Sequence, residues 1–418
     1  MIAAMCELYL ASKKDINFLT LLCAAVYFVS YVSRINLGAV LVEVVNSGFA
    51  DKKIAALALT VCSVTYGAGQ LISGYLGDKF KPQNIIFIGF FITAAMNIFV
   101  GTLSQGTLLV VIWAVNGFAQ ALMWPPLVKI LSARLDDEAY KKACVKVSWG
   151  SSFGTIAVYL LAPVIIKFFT VRTVFIISGA LAVVMAFIWK CIFERYKPFN
   201  FIEKIEVKEK VNETKGDTPK FNAFAITLLL SIMLAIVLQG ALRDGVTNWT
   251  PSYISDMFKL DSSVSILTGV ILPIFSVISF TVTSFINRKL IKNEILCSAA
   301  VFSVGAVSAL LLVLIGNKSV IVSLLLLALL VGCMHGVNLI LVCMIPAHFA
   351  KYGKVSFVSG LINSSTYVGA AISTYGIAVF TDAFGWVKTI GLWSVIAFAG
   401  ALICLMLGKK WSKFKVVE

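Results

Sequence analysis

Charge is scarce in this sequence, and so are the residues on which most enzymes build their chemistry. Only 13% of the 418 residues are charged, histidine occurs twice, and the nine cysteines show neither paired metal-ligand spacing nor a disulfide framework. No phosphate-binding loop of the nucleotide-hydrolysing type is present, and no long polar stretch could form a soluble domain to hold one. These absences exclude a metalloenzyme, a nucleotide hydrolase and a disulfide scaffold, and no cofactor or metal is expected. Residues 1–14 lack the apolar core and processing site of a cleavable signal peptide, so the first apolar run serves as its own insertion signal.

What is there is apolar surface, at 60% hydrophobic residues. Its runs repeatedly reach the roughly 20 residues needed to cross a bilayer. Twelve spans are expected, at 17–45, 54–77, 84–103, 107–131, 144–167, 172–193, 222–250, 264–286, 294–315, 319–346, 354–380 and 386–408, which makes this an all-α membrane protein. The formal charge of +15 would suit a nucleic-acid binder if it were clustered. Instead the cations fall in alternate loops: Lys13 and Lys14, Lys79 and Lys81, Arg134 with Lys141 and Lys142, the 194–221 segment, Arg288 with Lys289 and Lys292, Lys351 with Lys354, and the tail from Lys409 to Lys415. The positive-inside rule then puts both termini and the long central loop in the cytoplasm. The short loops fit a bacterial plasma membrane, with lipid rather than nucleic acid as the surrounding partner.

The polar, proline-containing stretch 194–221 separates six spans (1–193) from six (222–418) and reads as a solvated linker. The halves repeat weakly but in register. Asp78-Lys79 after the second span has Asn287-Arg288 after the eighth, and Arg34 in the first span has Arg243 in the seventh, each pair half a chain length apart. Repeats of this kind place a substrate site near the bilayer midplane, between halves that rock.

A guanidinium at the centre of a span costs about 2.5–3.5 kcal/mol on insertion scales and persists where it faces protein or a watery cavity. Two of them at equivalent positions suggest a bivalent clamp for a small anion, phosphate-like in charge. Tyr27, Tyr31 and Arg34 share one helical face, and Tyr66 and Gln70 are four apart in the second span. Asn363 and Tyr367 are likewise four apart in the eleventh, where Asn363 suits either the cavity or an interhelical hydrogen bond. Neighbours on a helix do not face each other, so Asp244 need not pair with Arg243. It is read as anchoring the seventh helix, ordering water beside the clamp, or carrying a coupling proton. Trp124-Pro125-Pro126 removes two backbone donors and should bend or loosen the fourth span. Glu43 reads as interfacial, His348 has no assigned role, and the Asn212 sequon in the cytoplasmic linker is a chance match.

GYLGDKFK, carrying Gly74, Asp78 and Lys79, resembles the loop signature of the major facilitator superfamily, in which the acidic residue and adjacent cations latch cytoplasmic helix ends. YFVSYVSRIN, YGAGQLISGYLGDK, MWPPLVKI and GALRDGVTNWTPSYI together resemble the organophosphate:inorganic phosphate antiporter family over nearly the whole chain. That resemblance implies two six-helix bundles, with Arg34 and Arg243 as the phosphate-binding arginines. It also implies pocket positions at Tyr27, Tyr31, Tyr66, Trp124 and Tyr367. Against the glycerol-3-phosphate transporter the chain departs at Gln70 (lysine there), Ser152 (histidine), His335 (tyrosine) and Gly240 (tyrosine). His335 is balanced between a packing role and a pocket role. The departures imply a related phosphorylated metabolite or another compact anion. A monomer exchanging an organophosphate for inorganic phosphate is expected. A proton-coupled organic-anion symporter, titrating at Asp244 or His335, and a non-transporting sugar-phosphate sensor are the alternatives.

Overall fold

The computed structural model describes residues 12–103, 106–196, 221–259 and 271–416, and among these no strand occurs. Most of the 194–221 linker, the Asn212 sequon and the expected first residues of the eighth span lie outside the described residues. Eleven helices among them are long and apolar enough to cross a membrane. In chain order they are α1 (Lys13–Ala39), α2 (Lys52–Lys79), α3 (Pro82–Thr102), α4 (Leu109–Ala121) continued by α5 (Trp124–Arg134), α6 (Asp137–Phe168), α7 (Val171–Arg195), α8 (Ala223–Phe258), α9 (Ile271–Lys289), α10 (Glu294–Ile315), α11 (Val320–Asn338) and α12 (Val355–Val416).

The eleventh of these spans is two. α12 is interrupted at Gly385, whose φ of 76° and ψ of 170° are open to glycine alone at low cost, so 355–384 and 386–416 form separate arms. Twelve spans result. The break expected from the double proline falls at Leu122–Met123, because Pro125 and Pro126 cannot donate to Ala121 and Leu122 and the ladder stops at Ala121. Side-chain caps set several starts. Ser12 accepts from the Lys14 amide, Asp136 from Ala139, Asn222 from Ala225 and Asn293 from Leu296. After α11 the backbone shifts to a π-helical turn, Leu339–Met344, and then a 3₁₀ stretch, Ile345–Tyr352, around Pro346.

Contacts divide the chain into two compact units, one from Met1–Lys220 with Phe349–Leu361 and one from Phe221–His348 with Ile362–Glu418. The start of α12 thus packs with the first unit, whereas division at the linker assigns it to the second half.

In the first unit Leu37, Val44, Ala58, Trp113 and Phe175 are buried together. Side-chain amides tie the spans across this core: Asn36 donates to Asn97 Oδ1 at 2.7 Å, Asn97 and Asn116 both donate to the Ser33 main-chain carbonyl, and Ser30 donates to Gln120 Oε1 at 2.6 Å. In hydrocarbon such groups have no water to turn to, so they glue helices together. Tyr196, just past α7, donates to the Asp15 carboxylate of α1, and that bond raises its phenol above the ordinary range.

In the second unit the fully buried Glu294, in the first turn of α10, accepts from Trp411 Nε1 at 2.9 Å and Lys415 Nζ at 2.7 Å, while His348 Nε2 lies 3.5 Å away. Removing the carboxylate strands a partly buried ammonium, and breaking such a pair costs about 3–5 kcal/mol. Glu294→Ala is therefore expected to lower the melting temperature of detergent-purified protein clearly, with Glu294→Gln intermediate; equal melting of both variants and wild type would exclude this role.

The outer faces of both units are oily. Leu21, Phe91 and Leu160 in the first, and Ile321, Val395 and Met406 in the second, are exposed. Lipid is the solvent such faces require.

Candidate functional site

Arg34 lies between two aromatic rings. Its guanidinium carbon is 4.2 Å from the Tyr31 centroid and 4.4 Å from that of Tyr66. Each cation–π contact stabilises the charge by about 0.5–2 kcal/mol without neutralising it. Tyr27 meets Tyr31 edge-on at 5.1 Å and Trp124 at 4.8 Å, so α1, α2 and α5 bring one cation and four aromatics into a continuous cluster. The i, i+4, i+7 spacing on α1 explains Tyr27, Tyr31 and Arg34; the kink before Trp124 supplies the indole.

Gln70 sits one turn from Tyr66 and is fully buried, with neither amide atom hydrogen-bonded among the described residues. Its backbone oxygen crosses Gly360 of α12 so closely that a Cβ there would overlap it. Ser152 is buried on α6, two residues before Gly154, whose approach to Phe28 and Tyr31 seats α6 against α1.

At the end of α2, the Asp78 carboxylate accepts from the backbone amides of Ser356 at 3.0 Å and Phe357 at 2.8 Å. It thereby satisfies first-turn donors that have no intrahelical acceptor, at the positive end of α12's dipole. The cation beside it is Lys129 of α5, whose Nζ is 3.6 Å from the carboxylate and donates to Gly77 O at 2.8 Å. Lys79, expected at this latch, instead lies over the Tyr75 ring at 4.3 Å. Gly74 faces the backbone of Ser356 and Phe357 and leaves no room for a side chain. Lys129 was not singled out by the sequence, since only the fold carries α5 to the end of α2.

In the second unit Arg243 and Asp244 form a two-pronged pair, Nε to Oδ1 at 2.6 Å and Nη2 to Oδ2 at 2.8 Å. The helical spacing left this pairing open, and the structure makes it. Adjacent Cβ atoms diverge on a helix, but the four-bond arginine arm is long enough to swing its fork back onto the neighbouring carboxylate. His335 of α11 lies within electrostatic reach of both charges and packs edge-on to Phe280 at 5.6 Å. Gln239, one turn before Arg243, donates to Met334 O at 2.9 Å and so fixes α8 on α11. Gly240 and Gly369 let α8 and the first arm of α12 touch backbone to backbone, at Thr366 and Val237 respectively. The space of a tyrosine at position 240 is thus occupied by the main chain. Tyr367 and Asn363 lie on that arm, Asn363 buried and Tyr367 half-buried. Among the described residues no group of three or more His, Cys, Asp or Glu could hold a metal ion.

Residues 23–374 match the Major Facilitator Superfamily. The chain is 28% identical over 151 residues to a "Probable hexose phosphate transport protein" of Chlamydia trachomatis, covering 35% of this chain and 32% of that one. It is 24% identical to the "Glycerol-3-phosphate transporter" of Bacillus subtilis over 54% of each. These alignments span about a third to a half of the relatives' length. The "Membrane sensor protein UhpC" of Salmonella typhimurium is 20% identical over 91% of this chain and 88% of its own. Among solved structures a double-tryptophan variant of XylE superposes with a TM-score of 0.76 at 13% identity, covering 97% of this chain and 99% of that one. The human organic anion transporter MFSD10 gives 0.69 at 13%, covering 93% and 98%. At such identity these structures establish the fold alone.

Proposed function

This chain belongs to the Major Facilitator Superfamily, and we propose that it exchanges a phosphorylated organic anion for inorganic phosphate across a plasma membrane by alternating access. Arg34 held by Tyr31 and Tyr66 inside a span is the observation that carries the reading. Tyrosine hydroxyls beside a guanidinium suit phosphoryl oxygens, and the planar fork meets two of them at once. Arg243 at the equivalent position supplies the second cation. Tyr27, Tyr66, Gln70, Trp124, Ser152, His335 and Tyr367 surround the substrate in this proposal, and Asp78 with Gly74 biases the conformational equilibrium at the start of α12. The carrier acts as a monomer of two six-span halves, 1–193 and 222–418, with both termini cytoplasmic.

The test is counterflow. Purified protein in vesicles preloaded with phosphate should take up labelled phosphate, and the uptake should persist when an ionophore collapses the proton gradient. Uptake abolished by the ionophore would replace exchange with proton symport. The near full-length similarity to a sensor protein favours one second reading, sugar-phosphate sensing without transport. Ligand binding without any counterflow would establish that reading instead.

Gln70 offers a specificity test. Its buried amide has unused hydrogen-bonding capacity, and a hydrogen bond to a charged group contributes about 1.5–3 kcal/mol. Gln70→Lys is expected to tighten binding of glycerol phosphate about tenfold or more by calorimetry. Unchanged affinity would mean that this face of α2 does not meet substrate.

A further inference from the structure

The Arg243–Asp244 pair is unusual in where its charges go. A phosphate-binding arginine is most useful with its two-donor edge toward the ligand, yet here the Nε–Nη2 edge is already engaged by a carboxylate of the same helix at 2.6 and 2.8 Å. The carboxylate has the geometry a phosphoryl group would adopt, two oxygens against two parallel N–H donors. Side-chain exposure is 13% for Arg243 and 27% for Asp244, so the acid is the more accessible member. Resting on the proposed phosphate-exchange function, we infer that Asp244 is an internal counter-anion that occupies the substrate's place on Arg243 and sets the charge class the carrier accepts.

Arg34 is held by tyrosine rings, which leave its charge intact. The second unit presents a pair whose sum is zero. An incoming phosphoryl group either shares Arg243 with Asp244, at a repulsive cost that grows with its own charge, or displaces the carboxylate and leaves it without its partner. Both routes penalise a dianion more than a monoanion. His335 on α11 lies within electrostatic reach of both charges; Tyr367 lies on the first arm of α12, which packs on α8 at Gly240 and Gly369. At one pH, with ligands of fixed charge, the protonation of these groups is held constant between the two ligands.

At pH 8 a phosphate monoester carries close to −2, whereas its methyl diester carries −1. Glycerol phosphate and its methyl diester are therefore titrated as competitors of labelled phosphate counterflow in wild type, Asp244→Asn and Asp244→Glu. Removing one negative charge a few ångströms from the ligand is worth about tenfold or more in favour of the doubly charged ligand. Asp244→Asn is expected to improve the monoester relative to the diester by that factor, while Asp244→Glu, which keeps the charge, stays within about threefold of wild type. The ratio between ligands cancels their difference in bulk and any general loss of folded protein. If both ligands shift together in Asp244→Asn, Asp244 is a structural residue and the inference is overturned. Should that variant fail to purify as folded protein, Asp244→Ser removes the same charge and is read in the same way. If wild type recognises neither phosphate nor glycerol phosphate, the exchange function itself falls, and this inference with it; an unmoved ratio in a wild-type background that exchanges phosphate overturns the inference alone.

Discussion

Reconstituted Arg34→Lys protein is expected to exchange phosphate at no more than about a tenth of the wild-type rate while purifying and melting like wild type. Lysine keeps the charge but presents a compact ammonium in place of a planar fork. A hydrogen bond to a charged group contributes about 1.5–3 kcal/mol, so the loss of one prong alone accounts for a tenfold or larger fall. The ammonium also stacks less well than the guanidinium that Tyr31 and Tyr66 sandwich at 4.2 and 4.4 Å. Arg243→Lys should behave similarly, with a difference that the structure makes specific. Its guanidinium is held by Asp244 through two donors, and lysine can keep only a point contact with that acid. Near-normal counterflow in the Arg34 variant would remove the arginine from the substrate site.

The second large effect concerns packing. Gly369→Val is expected to destabilise the second unit and abolish exchange, because a Cβ at 369 would overlap the Val237 carbonyl and crowd the Ala241 amide on α8. Overpacking a close contact costs about 1–3 kcal/mol even where side chains can yield, and backbone atoms yield less. The same displacement would shift Arg243 and Gln239, which α8 presents to α11 and its surroundings. Fluorescence-detected gel filtration after heating measures the first consequence, and counterflow measures the second. A variant that melts and exchanges like wild type would mean that α8 and α12 separate readily at this crossing. Gly376, on the same arm with nothing near its Cβ position, is the matched control: Gly376→Val should leave melting close to wild type.

How much of this was legible in the chain differs from residue to residue. Tyr27, Tyr31 and Arg34 share a helix face by spacing, so their clustering followed from the 3.6-residue period. Trp124 entered through its neighbouring prolines and the resemblance of its motif, and α5 brings it to Tyr27 because the ladder breaks at Leu122–Met123. The Asp78–Lys79 signature was visible, but its partner was not: the ion-pairing cation is Lys129, some fifty residues on, and the donors it faces are main-chain amides at Ser356 and Phe357. Main-chain amides carry no sequence signal. His348 looked idle because its neighbour Glu294 is remote in sequence, and only the fold brings the 3₁₀ stretch Ile345–Tyr352 to the start of α10.

The Arg243–Asp244 pair was left open by the sequence for a more local reason. Helix geometry fixes where Cβ points, yet it does not fix where a long flexible side chain ends. A rule about facing positions therefore does not decide whether an adjacent arginine and aspartate pair. Gly240 was similarly opaque. It read as the loss of a pocket tyrosine, while the structure fills the position with the Thr366 backbone.

Span number, the all-helical class and the half-chain repeat were determined by the sequence itself, because in hydrocarbon every backbone donor must be satisfied within its own segment and a run of some twenty apolar residues has one stable answer. The tertiary structure alone decided which charges meet: Asp78 with Lys129 and the start of α12, Glu294 with Lys415 and His348, and Arg243 with Asp244. Those choices depend on helix crossings and on the reach of individual side chains, which no one-dimensional pattern encodes.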